Sequence, residues 1–181
     1  MSIAVIYGGT RSKGNTEQLT EKVIGGMEVE KIVLKDYDIQ PIEDYRHDEA
    51  GFPKVGDDYK QLIDRMLSHD VIIFATPIYW YGMSGTLKNF IDRWSQSIKE
   101  YPGFKEIMAE KQAYVVAVGG DMPLLKGLPL IQQFQYIFSF VGTVFEGYVL
   151  GEGNKPGDIQ QDEQAIFAAE QLQKKINNGL F

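Results

Sequence analysis

Hydrophobic positions along the chain fall into two rhythms. Residues 3–7, 71–75 and 114–118 are short, continuously apolar and rich in β-branched side chains, as strands buried on both faces are. Residues 28–34 mix charges with apolar positions, and 144–150 carry Glu146 and Gly147 midway, which suits sheet edges. Between these runs apolar residues recur every three or four positions: Leu19 with Val23; Tyr59, Leu62, Ile63, Met66 and Leu67; Leu87, Phe90, Ile91 and Trp94; Phe134, Ile137, Phe138 and Val141; Ala165, Ala169, Leu172 and Ile176. Each set lays one apolar stripe along a helix. Five strands alternating with five helices predict an α/β fold, three layers with a doubly wound parallel sheet between helices.

Two edge strands and three central ones favour the order 2-1-3-4-5, the flavodoxin-like winding. Gly25-Gly26 should stop the first helix, and Asp57, Ser84 and Asp162 are expected to cap three others. Three connections stand out. Residues 35–56 hold Pro41, Pro53 and the acids Glu43, Asp44, Asp48 and Glu49, and loops of that length are usually lids, partner contacts or disordered. Residues 119–127 and 151–158 are shorter versions. There is no repeat or low-complexity tract, so residues 1–181 are expected to form a single domain.

Charge and cysteine content narrow the chemistry. A formal charge of -7 and no cluster of Lys or Arg argue against nucleic acid as a partner, because that affinity rests on neutralised phosphates. The chain contains no cysteine, which removes disulfides, thiolate metal sites and cysteine nucleophiles. No basic segment precedes the short apolar run at the N-terminus, and no stretch is long enough to span a membrane. The expectation is a soluble, cytoplasmic protein without membrane contact.

In a doubly wound sheet the ligand crevice lies beyond the carboxyl ends of the strands, between strands 1 and 3. The loop after strand 1, GTRSKGNT at residues 9–16, enters a helix N-terminus, where free amides and the helix dipole favour an anion. It nearly matches G-x-x-x-x-G-K-[ST], but Asn15 stands where the lysine should be. Without that lysine, and without an acid ending strand 3 to hold magnesium, a triphosphate fits poorly. A terminal monophosphate fits better, although such a turn can also be purely structural. After strand 3 comes TPIYWYGMSG, residues 76–85, with Tyr79, Trp80 and Tyr81 before an expected glycine turn, and consecutive crevice aromatics suit a flat heteroaromatic ligand. After strand 4, Gly119 and Gly120 offer bare backbone. Strands 1, 3 and 4 place the outer two loops roughly 10 Å apart, enough for a tricyclic ring with a phosphate tail, a description FMN meets.

These residues carry a resemblance. GGTRSKGNT, ATPIYWYGMSGTLKNFIDRW and the Gly-Gly after strand 4 are similar to the NAD(P)H-dependent FMN reductases of the flavodoxin-like superfamily, near the iron-sulfur flavoprotein and quinone-reductase branches. The resemblance covers most of the chain. It implies FMN as cofactor, with Gly9, Thr10, Arg11, Ser12, Asn15 and Thr16 around the phosphate. Pro77, Ile78, Tyr79, Trp80, Tyr81 and Gly82 would line the isoalloxazine, with Gly119, Gly120 and Asp121 as further ring contacts. It also implies NADPH or NADH as co-substrate, a small-molecule electron acceptor, and a homodimer or homotetramer. Iron-sulfur relatives carry a compact cysteine motif in the long loop, whereas this chain reads IQPIEDYRH, so flavin is expected to be the redox centre. The long loop and residues 119–127 are expected to line the acceptor pocket.

Two further classes stay open from the residues: a flavoprotein reduced by a protein partner, and a nucleotide-binding protein with an unusual loop. Ser68-His69-Asp70 is a helix end rather than a catalytic triad, since a triad converges from separate elements. His47 is read as solvated, two separated histidines make a poor metal site, and Asp57-Asp58 reads as a helix start. No metal and no catalytic acid or base is assigned.

Overall fold

A computed structural model of the protein describes residues 1–179; the last two residues of the expected domain lie outside the described ones. In chain order the elements are β1 (Ile3–Tyr7), α1 (Asn15–Ile24), β2 (Glu30–Val33), α2 (Tyr59–Leu67), β3 (Val71–Pro77), α3 (Gly85–Asp92), α4 (Trp94–Glu100), α5 (Phe104–Ala109), β4 (Gln112–Gly119), α6 (Pro123–Lys126), α7 (Leu128–Val141), β5 (Val144–Glu152) and α8 (Glu163–Asn178). The sheet is parallel throughout, in the order β2-β1-β3-β4-β5. It is the expected flavodoxin-like, three-layer arrangement.

Alternation explains why the central strands read as unbroken apolar runs. Along β3, Val71, Ile73 and Ala75 face α1 and α8, while Ile72 and Phe74 face the opposite layer. Both sides are buried, so both phases of the period are apolar. The second layer is aromatic: the Phe74 ring lies 5.4 Å from Phe138, 5.8 Å from Phe134 and 6.1 Å from Trp94. Side chains of this size each contribute on the order of 2 kcal/mol by leaving water, so the rings anchor α4 and α7 to the sheet. The polar residues midway along the fifth strand have a separate cause. The register against β4 slips between Ala113 and Tyr114, leaving Glu146 as the extra residue, a bulge at a sheet edge. Its carboxylate and carbonyl are held by Lys175 of α8 at 2.8 Å and 2.7 Å.

The helix expectation needs two corrections. The periodicity predicts five helices, but the described residues hold eight α-helical segments: the third expected helix is broken at Arg93 into α3 and α4, and α5 and α6 are too short to repeat an apolar stripe. Ser84 and Asp162 cap α3 and α8 by accepting the Leu87 and Ala165 amides. Asp57, in contrast, is not the cap residue of α2, a place taken by Asp58. Its Oδ1 still accepts the Tyr59 amide at 3.3 Å, but Oδ2 pairs with Arg93 at 2.6 Å, with both side chains nearly enclosed. A buried guanidinium requires a counter-charge, and this one draws the carboxylate inward.

That ion pair closes the long loop at its base. Arg93 also donates to the Gln40 carbonyl at 3.0 Å, Asp57 accepts the Gln40 amide at 3.0 Å, and the Arg93 guanidinium lies 4.4 Å over the Tyr59 ring. After a 3₁₀ turn at Leu34–Asp36, residues 37–58 are irregular, and Lys99 of α4 holds the Arg46 carbonyl. Residues 68–70 lie at the amino end of β3, remote from its carboxyl end. There Asp70 accepts from Ser2 at 2.7 Å, while His69 lies beside Glu30 and the Arg65 carbonyl. Among the described residues no helix is long and apolar enough to cross a membrane.

Candidate functional site

A cavity of about 440 Å³ opens at the carboxyl ends of β1, β3 and β4, where strand order reverses. That volume is within the range of small-molecule sites, roughly 300–1,000 Å³. Short polar side chains tie its loops together. Ser84 Oγ donates to the Gly8 carbonyl at 2.7 Å, and the Ser84 amide donates to Thr76 Oγ1 at 3.0 Å. The exits of β1 and β3 are thereby locked side by side.

At one end lies the loop after β1. Gly9, Thr10, Arg11, Ser12, Asn15 and Thr16 all line the cavity. No side chain caps α1 at Gly14, so its first-turn amides, which lack helical partners, remain for whatever fills the cavity. Two details depart from the reading of this loop as a self-sufficient cradle. The Asn15 carboxamide is already engaged: Nδ2 donates to the Lys155 carbonyl and Oδ1 accepts the Gly157 amide, both at 2.8 Å. A cation arrives from elsewhere, as Lys35, just beyond β2, places Nζ 2.8 Å from Ser12 Oγ and 3.4 Å from the Thr10 carbonyl and lines the cavity.

At the other end Pro77, Ile78, Tyr79, Gly119 and Gly120 form the walls, joined by Gly153 and Asn154 from beyond β5. The aromatic loop turns one step earlier than a glycine turn would. Tyr79 and Gly82 exchange both backbone hydrogen bonds at 3.0 Å, leaving Trp80 and Tyr81 as the turn itself at φ 48° and 64°. Such two-residue turns suit hairpins but favour Asn and Gly; holding side-chain residues there costs roughly 1–2 kcal/mol each. Gly82 serves the turn and lines neither cavity.

Trp80, Tyr81 and Asp121 line a second cavity, of about 180 Å³, which shares Ile78, Gly119 and Gly120 with the first and adds Pro123 and Lys126. Asp121 does not line the larger one. Its carboxylate accepts from Tyr81 at 2.9 Å and from Lys126 at 2.8 Å, and those bonds hold its pKa below the ordinary carboxylate range. Trp80 is 96% exposed. Of the long loop 35–56, Lys35 and Asp36 line the larger cavity and no residue lines the second; the rest of the loop is turned toward α4 by its base bonds. Of residues 119–127, Gly119, Gly120, Asp121, Pro123, Lys126 and Gly127 do reach the second cavity.

Lys35, Gly153 and Asn154 lie in connections the sequence singles out, but it assigns them no cofactor contact, although a signal existed. Each follows the carboxyl end of an outer strand, on the side where ligands bind. Tyr7, at the end of β1, also borders the cavity, with its hydroxyl donating to Glu21 at 2.9 Å. Burial and that carboxylate push its pKa up, so it remains a protonated donor. The residues present suit a flat ring with an anionic tail: open amides and cations at one end, apolar walls and bare backbone at the other.

Comparison with known proteins bears on the same region. Residues 1–147 match the family described as NADPH-dependent FMN reductase. A Bacillus subtilis protein provisionally named an NAD(P)H-dependent FMN-containing oxidoreductase is 61% identical over 177 residues, covering 97% of this chain and 98% of the relative. An iron-sulfur flavoprotein of Methanocaldococcus jannaschii is 29% identical over 190 residues, 97% of this chain and 95% of its own. The solved structure of a Bacillus subtilis protein described as Trp repressor binding protein superposes with a TM-score of 0.81 at 54% identity, covering 94% of this chain and 97% of that one. Matched over most of its length by the family and nearly end to end by a relative of this identity, the chain belongs to the NADPH-dependent FMN reductases.

Proposed function

We propose that the chain is an FMN-dependent NAD(P)H oxidoreductase that takes hydride from NADPH or NADH and delivers electrons to a small acceptor of the quinone, flavin, azo or nitro class. One observation carries this reading: a single cavity joins an uncapped helix N-terminus to a slot walled by Pro77, Ile78, Tyr79, Gly119 and Gly120. The name of the Bacillus subtilis relative supports it. FMN, when bound, supplies the hydride-accepting centre and stores the electron pair.

The chain's own groups bind and orient. The first-turn amides of α1, with Gly9, Thr10, Arg11, Ser12 and Thr16, hold the phosphate, and Lys35 adds the charge that Asn15 lacks. Tyr79, with Gly119 and Gly120, bounds the ring. Trp80, Tyr81 and Asp121 face the second ligand from the adjoining cavity, and Gly82 fixes the turn that presents them. No side chain is needed as acid or base, because hydride transfer is the cofactor's chemistry.

We further place this activity on one domain spanning residues 1–181, in the cytoplasm, and in a homodimer or homotetramer. The exposed apolar residues Leu125, Leu128, Tyr136 and Phe140 of α6 and α7 support self-association, which light scattering of the purified protein measures. The decisive experiment is an absorption spectrum of the protein with FMN, repeated without oxygen after adding NADPH or NADH. Bleaching of the flavin bands is expected. Bleaching only by a reduced protein partner would make it an electron-transfer flavoprotein, and failure to bind FMN would refute the reading.

A further inference from the structure

The phosphate loop and the segment after β5 are joined by bonds that a simple cradle does not require. Asn15 is buried, and its carboxamide spans to the Lys155 carbonyl and the Gly157 amide. Gly153 donates to the Gly119 carbonyl at 2.9 Å. Asp158 Oδ2 accepts the Asn154 and Lys155 amides at 3.1 Å and 2.7 Å, so the segment is braced internally as well. Close packing is built into two glycines. A Cβ on Gly153 would lie 2.7 Å from Asn15 Nδ2, and one on Gly120 would lie 3.0 Å from Asn154 Cβ.

We infer that Gly153 and Asn154, at the head of the braced segment 153–158, form the far wall of the ring end of the cofactor site, and that Asn15 holds this wall in place instead of binding the phosphate through its side chain. Gly153 and Asn154 then face the ring where Gly119 and Gly120 face it from β4, and Asn154 brings a carboxamide, donor and acceptor both, to a heteroaromatic edge. Asn15 is a positioning residue: it acts on the ring through a segment about 140 positions away in sequence. This rests on the FMN reading above and deepens it. It also reverses the expected consequence of losing Asn15. A phosphate ligand would matter for FMN and not for riboflavin; a wall clamp matters for both.

The test titrates FMN and riboflavin by fluorescence quenching into the wild-type protein, Asn15→Ala and Gly153→Ala. In Asn15→Ala both ligands should weaken together, by roughly tenfold, the worth of one to two net hydrogen bonds. Gly153→Ala keeps Asn15 but forces the clamp apart, and should weaken both in the same proportion. Hydrogen exchange of the apo variants supplies a readout free of any ligand: amides of residues 153–158 should exchange faster while those of β3 and β4 stay protected. A loss confined to FMN, or no loss for either ligand, overturns the inference while leaving the FMN reading standing. A wild-type protein that binds neither flavin overturns both, and that result is visible before any variant is made.

Discussion

Replacing Lys35 with Met removes a charge from the phosphate end while keeping most of the side chain's length. Its Nζ lies 2.8 Å from Ser12 Oγ, so a phosphate oxygen accepting from that hydroxyl would place the anion's centre roughly 5 Å from the ammonium. A phosphomonoester carries about two negative charges at neutral pH. At 5 Å in a water-like dielectric the attraction is about 1.7 kcal/mol, and physiological salt, with a Debye length near 8 Å, reduces it to about 1 kcal/mol. Lys35 is exposed, so the water-like dielectric applies. Lys35→Met should therefore raise the Kd for FMN roughly fivefold at 0.15 M salt, about tenfold at 0.01 M, and less than twofold at 1 M. Riboflavin, lacking the phosphate, should bind the variant as it binds the wild type. The assay is a fluorescence titration of both flavins at the three ionic strengths. An equal loss for riboflavin, or an FMN loss indifferent to salt, would show that Lys35 does not act on the phosphate by charge.

Three further outcomes follow from the packing and the charges. Arg93→Met strands a nearly enclosed Asp57 and should cost about 3–5 kcal/mol, lowering the melting temperature by roughly 10 °C for a chain of this size; a shift of a degree or two would show that the pair is not buried in solution. Tyr114 carries a buried hydroxyl without a hydrogen-bond partner among the described residues, and burial raises its pKa to about 12. Tyr114→Phe should then leave stability unchanged or raise it by about 1 kcal/mol in urea unfolding, whereas a loss would mean the hydroxyl is satisfied. Bonds from the Ser2 amide and hydroxyl hold the Asp70 pKa below its ordinary value. Because the folded pKa is the lower one, the native state binds fewer protons. The contribution is complete above about pH 4 and disappears as pH falls through the folded value. Asp70→Asn should flatten the acid limb of the stability curve measured by melting temperature against pH, and an unchanged limb would refute this assignment.

Much of the fold was legible because its determinants are local. The unbroken apolar runs at 3–7, 71–75 and 114–118 required burial on both faces, and the charged runs required edges. From those alone came a sheet order that the structure shares. The carboxyl-end rule then picked out loops whose residues do converge on one cavity. The break that separates Trp94 and α4 from α3, and the short helices α5 and α6, were not legible, since segments of seven residues or fewer leave no period to detect. Nor was the Trp80-Tyr81 turn, because the pairing of Tyr79 with Gly82 overrides the preference for glycine.

By itself the sequence determined the strands, which of them are buried on both faces, the anion-suited turn at residues 9–16 and the lack of any thiol chemistry. Each depends on neighbours a few positions apart. Only the tertiary structure decided which polar group meets which. Lys35 comes to Ser12 from 23 positions away, Arg93 to Asp57 from 36, and Asn15 to Gly157 from 142. A buried donor must find an acceptor, but the chain pattern does not say where along its length that acceptor lies. The packing of β2 beside β1, and of the segment after β5 beside the phosphate loop, settles it.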